Sequence, residues 1–506
     1  MSEPPTLRIV FDRPHALFDI ATTRDMEAAA LAALPPFTLM QRAGGAVAAL
    51  ARALAPHART MWVVCGGGNN GGDGLEAAAR LRAWGMPVTA TWLGHPDQAP
   101  ADARAAWRRA VDAGVVFTDG IPAGLGADDL CIDALLGIGG GKPGRHPAAQ
   151  RMQALLDAMH ASPAAILCVD LPSGLDADTG VRHMRPQALH ADRLHTLSLL
   201  TLKSGLFTGD GRDAAGQVWC NTLGVEADAA RACAVLGHRP ASTARAHASH
   251  KGSYGDVCVV GGEGMQQRGM GMSGAALLAA RAALHAGAGR VFVGLLDGGA
   301  LAVDAVQPEL MFRAIDALDF AATATATVCG CGGGHAVAGV LPQVLAASGR
   351  LVLDADALNA IAQDDGLRHA LASRGARGQA TVITPHPLEA ARLLRTTAAD
   401  VQSQRLHAAA ALARELQAVV VLKGSGTVIA HGDRSPVINP TGNALLATAG
   451  TGDVLAGMVG ARLAPQGADA FDAACAAVYA HGLRADAWPA GRPLTAGRLA
   501  NAASGA

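Results

Sequence analysis

The first half of the chain repeats one device: a short apolar run ends in an acid or a glycine cluster and hands over to a helical pattern. Residues 60–65, 87–92, 130–133 and 165–170 read as strands, and 73–84 and 101–113 read as helices between them. An Ala-rich helical periodicity over 22–54 precedes the first strand. Strands alternating with helices at this spacing build a parallel sheet wrapped on both faces. Ligands of such sheets collect at the carboxyl ends of the strands. The residues that follow each apolar run are therefore the ones to examine for chemistry.

Three of those positions are informative. The run at 60–65 is followed by Gly66-Gly67-Gly68-Asn69-Asn70-Gly71-Gly72-Asp73-Gly74, six glycines in nine residues. So many glycines permit the backbone to approach a phosphate, and the helix that follows adds its dipole. Ile132 is followed by Asp133-Ala134-Leu135-Leu136-Gly137-Ile138-Gly139, and Val169 by Asp170-Leu171-Pro172-Ser173-Gly174. Amide, carboxylate and hydroxyl oxygens from Asn70, Asp133 and Ser173 would suit a hard cation. Each motif alone is compatible with turn chemistry. Three at one sheet edge point to a binding site.

A junction over 224–243 leads to a second half with its own pattern. Strands are expected at 256–260, 289–295, 351–356, 382–384 and 419–422, with a small-residue helix over 272–286. Lys423-Gly424-Ser425-Gly426-Thr427 forms a small-residue turn suited to a nucleotide. The segment Ala447-Thr448-Ala449-Gly450-Thr451-Gly452-Asp453 runs straight into an apolar helix start. Amides and helix dipole at such a turn stabilise an anion, such as a phosphoryl group in transfer. Asp453 beside it is placed to take a proton from an attacking hydroxyl. The plainer reading is a glycine C-cap followed by an N-capping Asp. No repeat period links the halves, so the chain reads as a fusion.

At 506 residues two domains are expected, and the boundaries are drawn at 1–228, a linker over 229–242, and 243–506. Half of the residues are hydrophobic, aromatics are only 3%, and there are 62 glycines, which suits Ala/Val/Leu cores with many tight turns. A net charge of −1 leaves no broad footprint for nucleic acid. Residues 1–13 mix Pro, Glu, Asp and Arg and do not read as a secretory signal. The uncharged stretch 320–350 is broken by Gly332-Gly333-Gly334 and Pro342, so a buried strand, turn and helix are expected there rather than a membrane span. Nine cysteines are scattered, with Cys65, Cys131 and Cys168 in apolar runs, and a cytoplasmic location is expected.

Taken together, these motifs resemble the bifunctional NAD(P)H-hydrate repair enzymes, an epimerase fused to an ADP-dependent dehydratase. The resemblance runs from about Thr22 to Met458. Its first half rests on Leu39-Met40-Gln41-Arg42-Ala43-Gly44, N-N-G-G-D-G, D-A-L-L-G-I-G and D-L-P-S-G-L-D. Its second half rests on H-K-G-S-Y-G from His250, Gln307 to Met311, D-A-D-A-L-N from Asp354, T-P-H-P-L-E, L-K-G-S-G-T and G-T-G-D. The chain departs from the usual pattern at Gln41 (usually Glu), at Leu388 and Ala449 (usually Gly), and at Gly330-Cys331-Gly332, usually glycine-proline-glycine.

The resemblance implies a Rossmann-like three-layer parallel-sheet domain followed by a ribokinase-like α/β domain. It implies that Asn69, Asn70, Gly71, Gly72 and Asp73 hold the hydrated dinucleotide, together with Gly137, Ile138, Gly139, Gly140, Gly141, Lys142 and Pro143. Asp170 would touch the damaged ring, and Asn70, Asp133 and Ser173 would hold potassium. In the second half Lys423, Gly424, Ser425, Gly426, Thr427 and Gly452 would bind ADP with magnesium, while Ala275, Gly334, His386 and Asp453 would line the hydrate pocket. Gly450, Thr451 and Gly452 amides would stabilise the phosphoryl group, and Glu389 is either a magnesium-side residue or a helix-capping acid. The expected partners are NADHX, NADPHX and ADP, with no nucleic acid or membrane, and the chain is expected to be a homo-oligomer. Two alternatives stay open: a ribokinase-like vitamin or sugar kinase, and a first half that only binds a nucleotide-like metabolite.

Overall fold

The computed structural model describes residues 4–139, 148–186, 190–241, 245–321 and 325–502. The chain divides into two compact units, Met1–Val10 with His15–Ala234, and Phe11–Pro14 with Val235–Ala506. The expected boundary at 242/243 lies outside the described residues. Within the span 229–242, Val235 and Leu236 form strand pairs with Val437 and Ile438.

The first unit is built on one sheet in the order Leu7–Arg8, Gln217–Asn221, Leu194–Leu199, Ala165–Val169, Leu130–Ala134, Met61–Cys65, Val88–Trp92 and Val116–Phe117. All neighbours are parallel except the first pair. Met61–Cys65 and Leu130–Ala134 are buried along their whole length, because helices cover both faces of a parallel sheet. One core lies between the sheet and the helices Thr38–Leu54, Asn69–Ala83 and Ala101–Asp112, and another lies under Ala149–Ala161.

The sheet of the second unit runs Met311–Phe312, Arg290–Leu295, Asp256–Gly261, Ala326–Cys329, Leu351–Leu353, Thr381–Ile383, Val419–Leu422, Val428–His431 and Arg434–Ile438, with Val235 and Leu236 beyond. It is parallel up to Val419–Leu422 and antiparallel over the next two strands. Helices Ser273–His285, Thr451–Leu463 and Ala470–Asp486 pack on one face, and Val337–Ala347 with Arg405–Leu416 on the other. Two α/β units with parallel sheets are thus what the alternation of strands and helices required.

Several local expectations differ. The periodicity over 22–54 is two helices, Ile20–Ala33 and Thr38–Leu54, separated at Pro35-Pro36, as the missing proline N–H and its clash with the preceding turn demand. The expected strand 351–356 stops at Leu353, and Asp356 opens the helix Asp356–Gln363. Within 320–350 the described residues form the strand Ala326–Cys329, a turn, and the helix Val337–Ala347 with Pro342 inside it. Among the described residues no helix is long and apolar enough to cross a membrane. Cys65, Cys131 and Cys168 are free and buried.

Candidate active sites

In the first unit the three motif segments meet at the carboxyl end of the sheet around a cavity of about 660 Å³. The helix expected to begin at Asp73 begins at Asn69 instead, so the N-N-G-G-D run forms its first turns. Asn69, Asn70 and Asp73 line the cavity, as do Gly137, Ile138, Gly139 and Asp170. Gly71 and Gly72 do not. A Cβ on Gly71 would lie 1.9 Å from the Gly66 carbonyl oxygen, and one on Gly72 would lie 2.9 Å from the Ala103 Cα, so these glycines serve packing. Gly140, Gly141, Lys142 and Pro143 lie outside the described residues.

Asp133 and Ser173 are brought together, and they bind each other. The Ser173 hydroxyl donates to Asp133 Oδ1 at 2.6 Å, its N–H donates to Oδ2 at 3.0 Å, and its oxygen accepts from the Leu136 N–H at 3.0 Å. Burial pushes the Asp133 carboxyl above its ordinary value despite these bonds. Asn70 Nδ2 is buried with no partner among the described residues. A Cβ on Gly137 would lie 2.9 Å from Asn70 Oδ1 and 3.3 Å from Asp170 Oδ2, so both acceptors face the space that only glycine leaves open.

Five further ionisable groups of the cavity were not singled out from sequence: Lys203, Glu27, Arg24, His95 and Asp102. Lys203 is fully buried and its ammonium bonds Asp170 Oδ1. Asp73 is raised well above the usual carboxylate range by burial, then by the charges of Asp170 and Glu27. Glu27 is raised by burial and by Asp170. Asp170 and Leu200 both hold left-handed backbone, with φ of 67° and 68°, a conformation that costs a non-glycine residue roughly 1 kcal/mol and collects at functional sites.

In the second unit the helix Thr451–Leu463 starts from Gly450 at φ 88°, which lets the chain turn sharply into the helix. The Thr451 N–H is spent on the Thr448 carbonyl at 3.3 Å, so of the three amides expected to face an anion this one is taken. Gly452 and Asp453 N–H groups have no acceptor among the described residues. Asp453 stands in this first turn, and its carboxylate lies with Asp354 and the Cys331 thiol in a cluster whose ligand atoms are all within 4.8 Å. Burial first, then the charge of Asp354, raise the Asp453 carboxyl to about 7.

Lys423 donates to Asp354 Oδ1 at 2.7 Å, and Thr384 Oγ1 donates to the same oxygen at 2.8 Å. Burial alone would lower the Lys423 ammonium, but Asp354 and Glu389 hold it above its ordinary value. Gly452 lies against this pair, its added Cβ 3.2 Å from Lys423 Nζ. Glu389 Oε2 accepts the His386 N–H at 2.7 Å while His386 Nδ1 accepts the Leu388 N–H at 3.1 Å, a reciprocal cap of the helix Pro387–Leu394. The capping role of Glu389 is therefore present, and burial, the largest cause, carries its carboxyl to about 7. Burial and Lys423 hold the His386 imidazole below its ordinary value.

Ala275 and Gly334 approach this region from two other elements. Ala275 is buried in Ser273–His285, and its Cβ is 2.8 Å from where a Cβ on Gly332 would be. Gly334 donates its N–H to Asp356 Oδ2 at 2.8 Å and lies against Glu263 and Arg268. The turn Gly424 to Thr427 is closed by a bond from Thr427 Oγ1 to the Gly424 carbonyl at 3.1 Å. Buried Arg405, unnoticed in the sequence, holds the turn through the Leu422 and Lys423 carbonyls at 3.1 and 3.2 Å.

A roomy acidic cavity in one α/β unit and, in the other, a helix start whose Gly452 and Asp453 amides have no acceptor among the described residues, beside a carboxyl raised to about 7, are the arrangement of a two-domain enzyme of small metabolites. The family model described as NAD(P)H-hydrate dehydratase matches residues 257–503, and that of the YjeF-related protein N-terminus matches 36–205. A bifunctional NAD(P)H-hydrate repair enzyme of Escherichia coli is 37% identical over 497 residues, 94% of this chain and 90% of that protein. An ADP-dependent (S)-NAD(P)H-hydrate dehydratase of Neisseria meningitidis is 44% identical over 51% of this chain and 85% of its own length. The ADP/ATP-dependent NAD(P)H-hydrate dehydratase of Bacillus subtilis, solved with ATP and Mg2+, is 31% identical over 51% of this chain and 90% of that chain, with a TM-score of 0.41. The chain belongs to the family of bifunctional NAD(P)H-hydrate repair enzymes, with the epimerase half first and the dehydratase half second.

Proposed function

We propose that the two sites divide one repair. The cavity of the first unit takes up hydrated NADH or NADPH and interconverts its R and S epimers, and the cluster at Asp453 dehydrates the S epimer at the expense of ADP. The observation that carries this reading is the first turn of Thr451–Leu463: two N–H groups without acceptors among the described residues and a carboxyl at about 7 stand beside Lys423. The functional boundary falls between 228 and 243 on this reading, with the span 229–242 joining the two halves.

In the epimerase step the ring hydroxyl at carbon six leaves as water after gaining a proton, and the ring nitrogen lone pair fills the vacancy. Water then returns to the opposite face and loses a proton, so the atoms balance. Asp170 Oδ2 is the base for that proton, and Asp73, raised well above the carboxylate range by burial, supplies the other. Asn69, Asn70 and Gly137 to Gly139 hold the dinucleotide. Asn70, Asp133 and Ser173 suit potassium: they offer an amide, a carboxylate and a hydroxyl oxygen, and burial raises the Asp133 carboxyl. A cation there would fix the turn Leu135 to Gly137 against the substrate.

In the dehydratase step Asp453 takes the proton of the hydroxyl, whose oxygen attacks the β-phosphorus of ADP, and AMP departs. Gly452 and Asp453 amides and Lys423 face the charge that develops. The phosphate then leaves carbon six with its bonding electrons, a proton is lost from carbon five, and NADH or NADPH is restored. Lys423 to Thr427 and Gly452 hold the nucleotide, and Ala275, Gly334 and His386 line the hydrate pocket. Three carboxyls, Asp354, Glu389 and Asp453, stand against the single ammonium of Lys423, a set that fits magnesium arriving with ADP. Asp354 and Glu389 would hold such an ion, which would supply neutralising charge to the transferred phosphoryl group.

Pure R and S hydrates, each incubated with ADP or ATP, test the reading through the absorbance of NADH. Nucleotide-dependent recovery of NADH from both epimers supports it. Accumulation of a phosphorylated product without NADH assigns the second unit to a kinase instead.

A further inference from the structure

We infer that Lys203 is a positioning residue of the epimerase reaction, clamping one oxygen of Asp170 so that Oδ2 alone is presented to the cavity. The inference rests on the assignment of this cavity to the epimerase step. Lys203 follows the strand Leu194–Leu199 and is fully buried. Its Nζ donates to Asp170 Oδ1, to the Leu199 carbonyl at 2.6 Å and to Ser198 Oγ at 3.4 Å. Leu199 returns a bond, its N–H donating to the same Oδ1 at 3.2 Å. Two donors thus fasten Oδ1, while Oδ2 faces Gly137 and Asn70 Oδ1 across the open space described above.

The clamp ties together two strained strand ends. Asp170 ends Ala165–Val169 with φ 67°, and Leu200 follows Leu194–Leu199 with φ 68°. Left-handed backbone at two non-glycine residues persists only where the surroundings hold it, and Lys203 joins both segments through Asp170 and Leu199. A fully buried ammonium is costly to place for stability alone, since desolvation consumes most of what its pairing returns. Here it is spent on the one carboxylate that faces the substrate space from this edge.

The charges around Asp170 define what its loss would do. Glu27 and Arg24 face it from Ile20–Ala33, Asp73 from Asn69–Ala83, and Asp102 from Ala101–Asp112 lines the same cavity. Without Lys203, Asp170 would share the cavity with those acids, and Arg24, which reaches the Ile138 carbonyl at 3.4 Å, and His95 would be the basic groups left among its described lining residues. Losing the nearest positive charge makes the carboxylate harder to ionise, so the acid limb of the rate moves toward higher pH.

The test follows R hydrate appearing from pure S hydrate by proton NMR, with no nucleotide present, in the full-length chain. Lys203→Met should lower the epimerisation kcat by about 10²-fold, leave KM within a few-fold, and move the acid limb up by about one pH unit or more. ADP-dependent recovery of NADH from the S hydrate should stay at the parent rate and certify the second unit. Lys203→Arg, which keeps the charge, should keep the parent pH profile even where kcat falls. An unshifted limb in Lys203→Met, or an epimerisation rate near the parent's, overturns the inference. Should Lys203→Met lose its circular-dichroism melt, Lys203→Arg decides: a limb that shifts although the charge is kept overturns it equally. Failure of both parent and variants to epimerise would instead sink the underlying assignment of the cavity.

Discussion

In the first unit Lys203 is paired with Asp170, the acid that faces the substrate space; in the second, Lys423 is paired with Asp354, and the acid proposed as base, Asp453, stands beyond that pair. Both arrangements sit at the carboxyl end of a parallel sheet, where strand ends deliver side chains from separate segments to one place. The difference lies in which acid receives the cation. In the first unit the ammonium pairs with the carboxylate that is itself proposed to react. In the second it is spent on a neighbour, whose charge then raises the Asp453 carboxyl, after burial, to about 7. On this reading one site holds its base by a clamp, and the other leaves the ammonium on a neighbour, so that burial and the charge of Asp354 raise its base.

The largest effect expected from this contrast is at Asp453. Asp453→Asn keeps the shape of the side chain and removes its basicity. ADP-dependent recovery of NADH should fall by roughly 10²-fold or more while nucleotide binding, followed calorimetrically, persists. Epimerisation in the same sample should be unchanged. Near-parental NADH recovery would dissolve the contrast, because the second unit would then need no base at this position.

The counterpart in the first unit is the space between Asn70 Oδ1 and Asp170 Oδ2. Gly137→Ala puts a methyl group there, 2.9 and 3.3 Å from those oxygens. Epimerisation should fall about tenfold, chiefly through KM, because the obstruction lies where substrate is held rather than on the base. An unaffected KM would place the ring elsewhere in the cavity. The dehydratase rate serves again as the internal control.

Much of this contrast was legible in the sequence, and its gaps have physical causes. Short-range signals carried the fold: apolar runs capped by Gly or Asp gave strands, and each motif fell at a strand end. The helix start was placed at Asp73, four residues late, because the preceding glycines read as a turn open to a phosphate, whereas Gly71 and Gly72 let a helix start pack against the Gly66 carbonyl and Ala103. Lys203 carried one available signal, a lone lysine in the apolar stretch Leu199 to Phe207, but nothing local reveals that it meets Asp170, 33 residues away. Asp354 was visible as a strand-end acid, yet its pairing with Lys423 spans 69 residues and needs the fold. Glu27 and Arg405 were hidden in ordinary helical patterns.

A finer distinction is in the pH profiles. Because Asp453 must be unprotonated to act, dehydratase kcat/KM should rise with pH and level off above about 7. Glu389 titrates in the same range, also to about 7. Glu389→Gln separates them: a limb that survives this change belongs to Asp453, and one that vanishes belongs to Glu389. Lys203→Met should leave this limb alone while moving that of epimerisation. A dehydratase rate flat from pH 5 to 9 would show that neither acid governs the step.

The smallest effect concerns stability. The folded chain holds the Asp453 carboxyl at about 7, above the ordinary 3.8 it regains on unfolding. A group raised in this way binds its proton more tightly in the folded state, so its stabilising contribution is complete below the ordinary value. That contribution is lost as pH rises through the interval and is gone above about 7, where the half-buried carboxylate is ionised beside Asp354. Asparagine cannot ionise and carries no such penalty. Thermal melts of parent and Asp453→Asn chains should therefore diverge as pH rises from 4 to 8, with the variant melting a few degrees higher at the upper end. Equal divergence at every pH would assign the difference to packing against Cys331. A parent chain that melts higher at pH 8 would mean that Asp453 is ionised at little cost. The tuning by Asp354 would then be absent, and the two units would hold their bases in the same way.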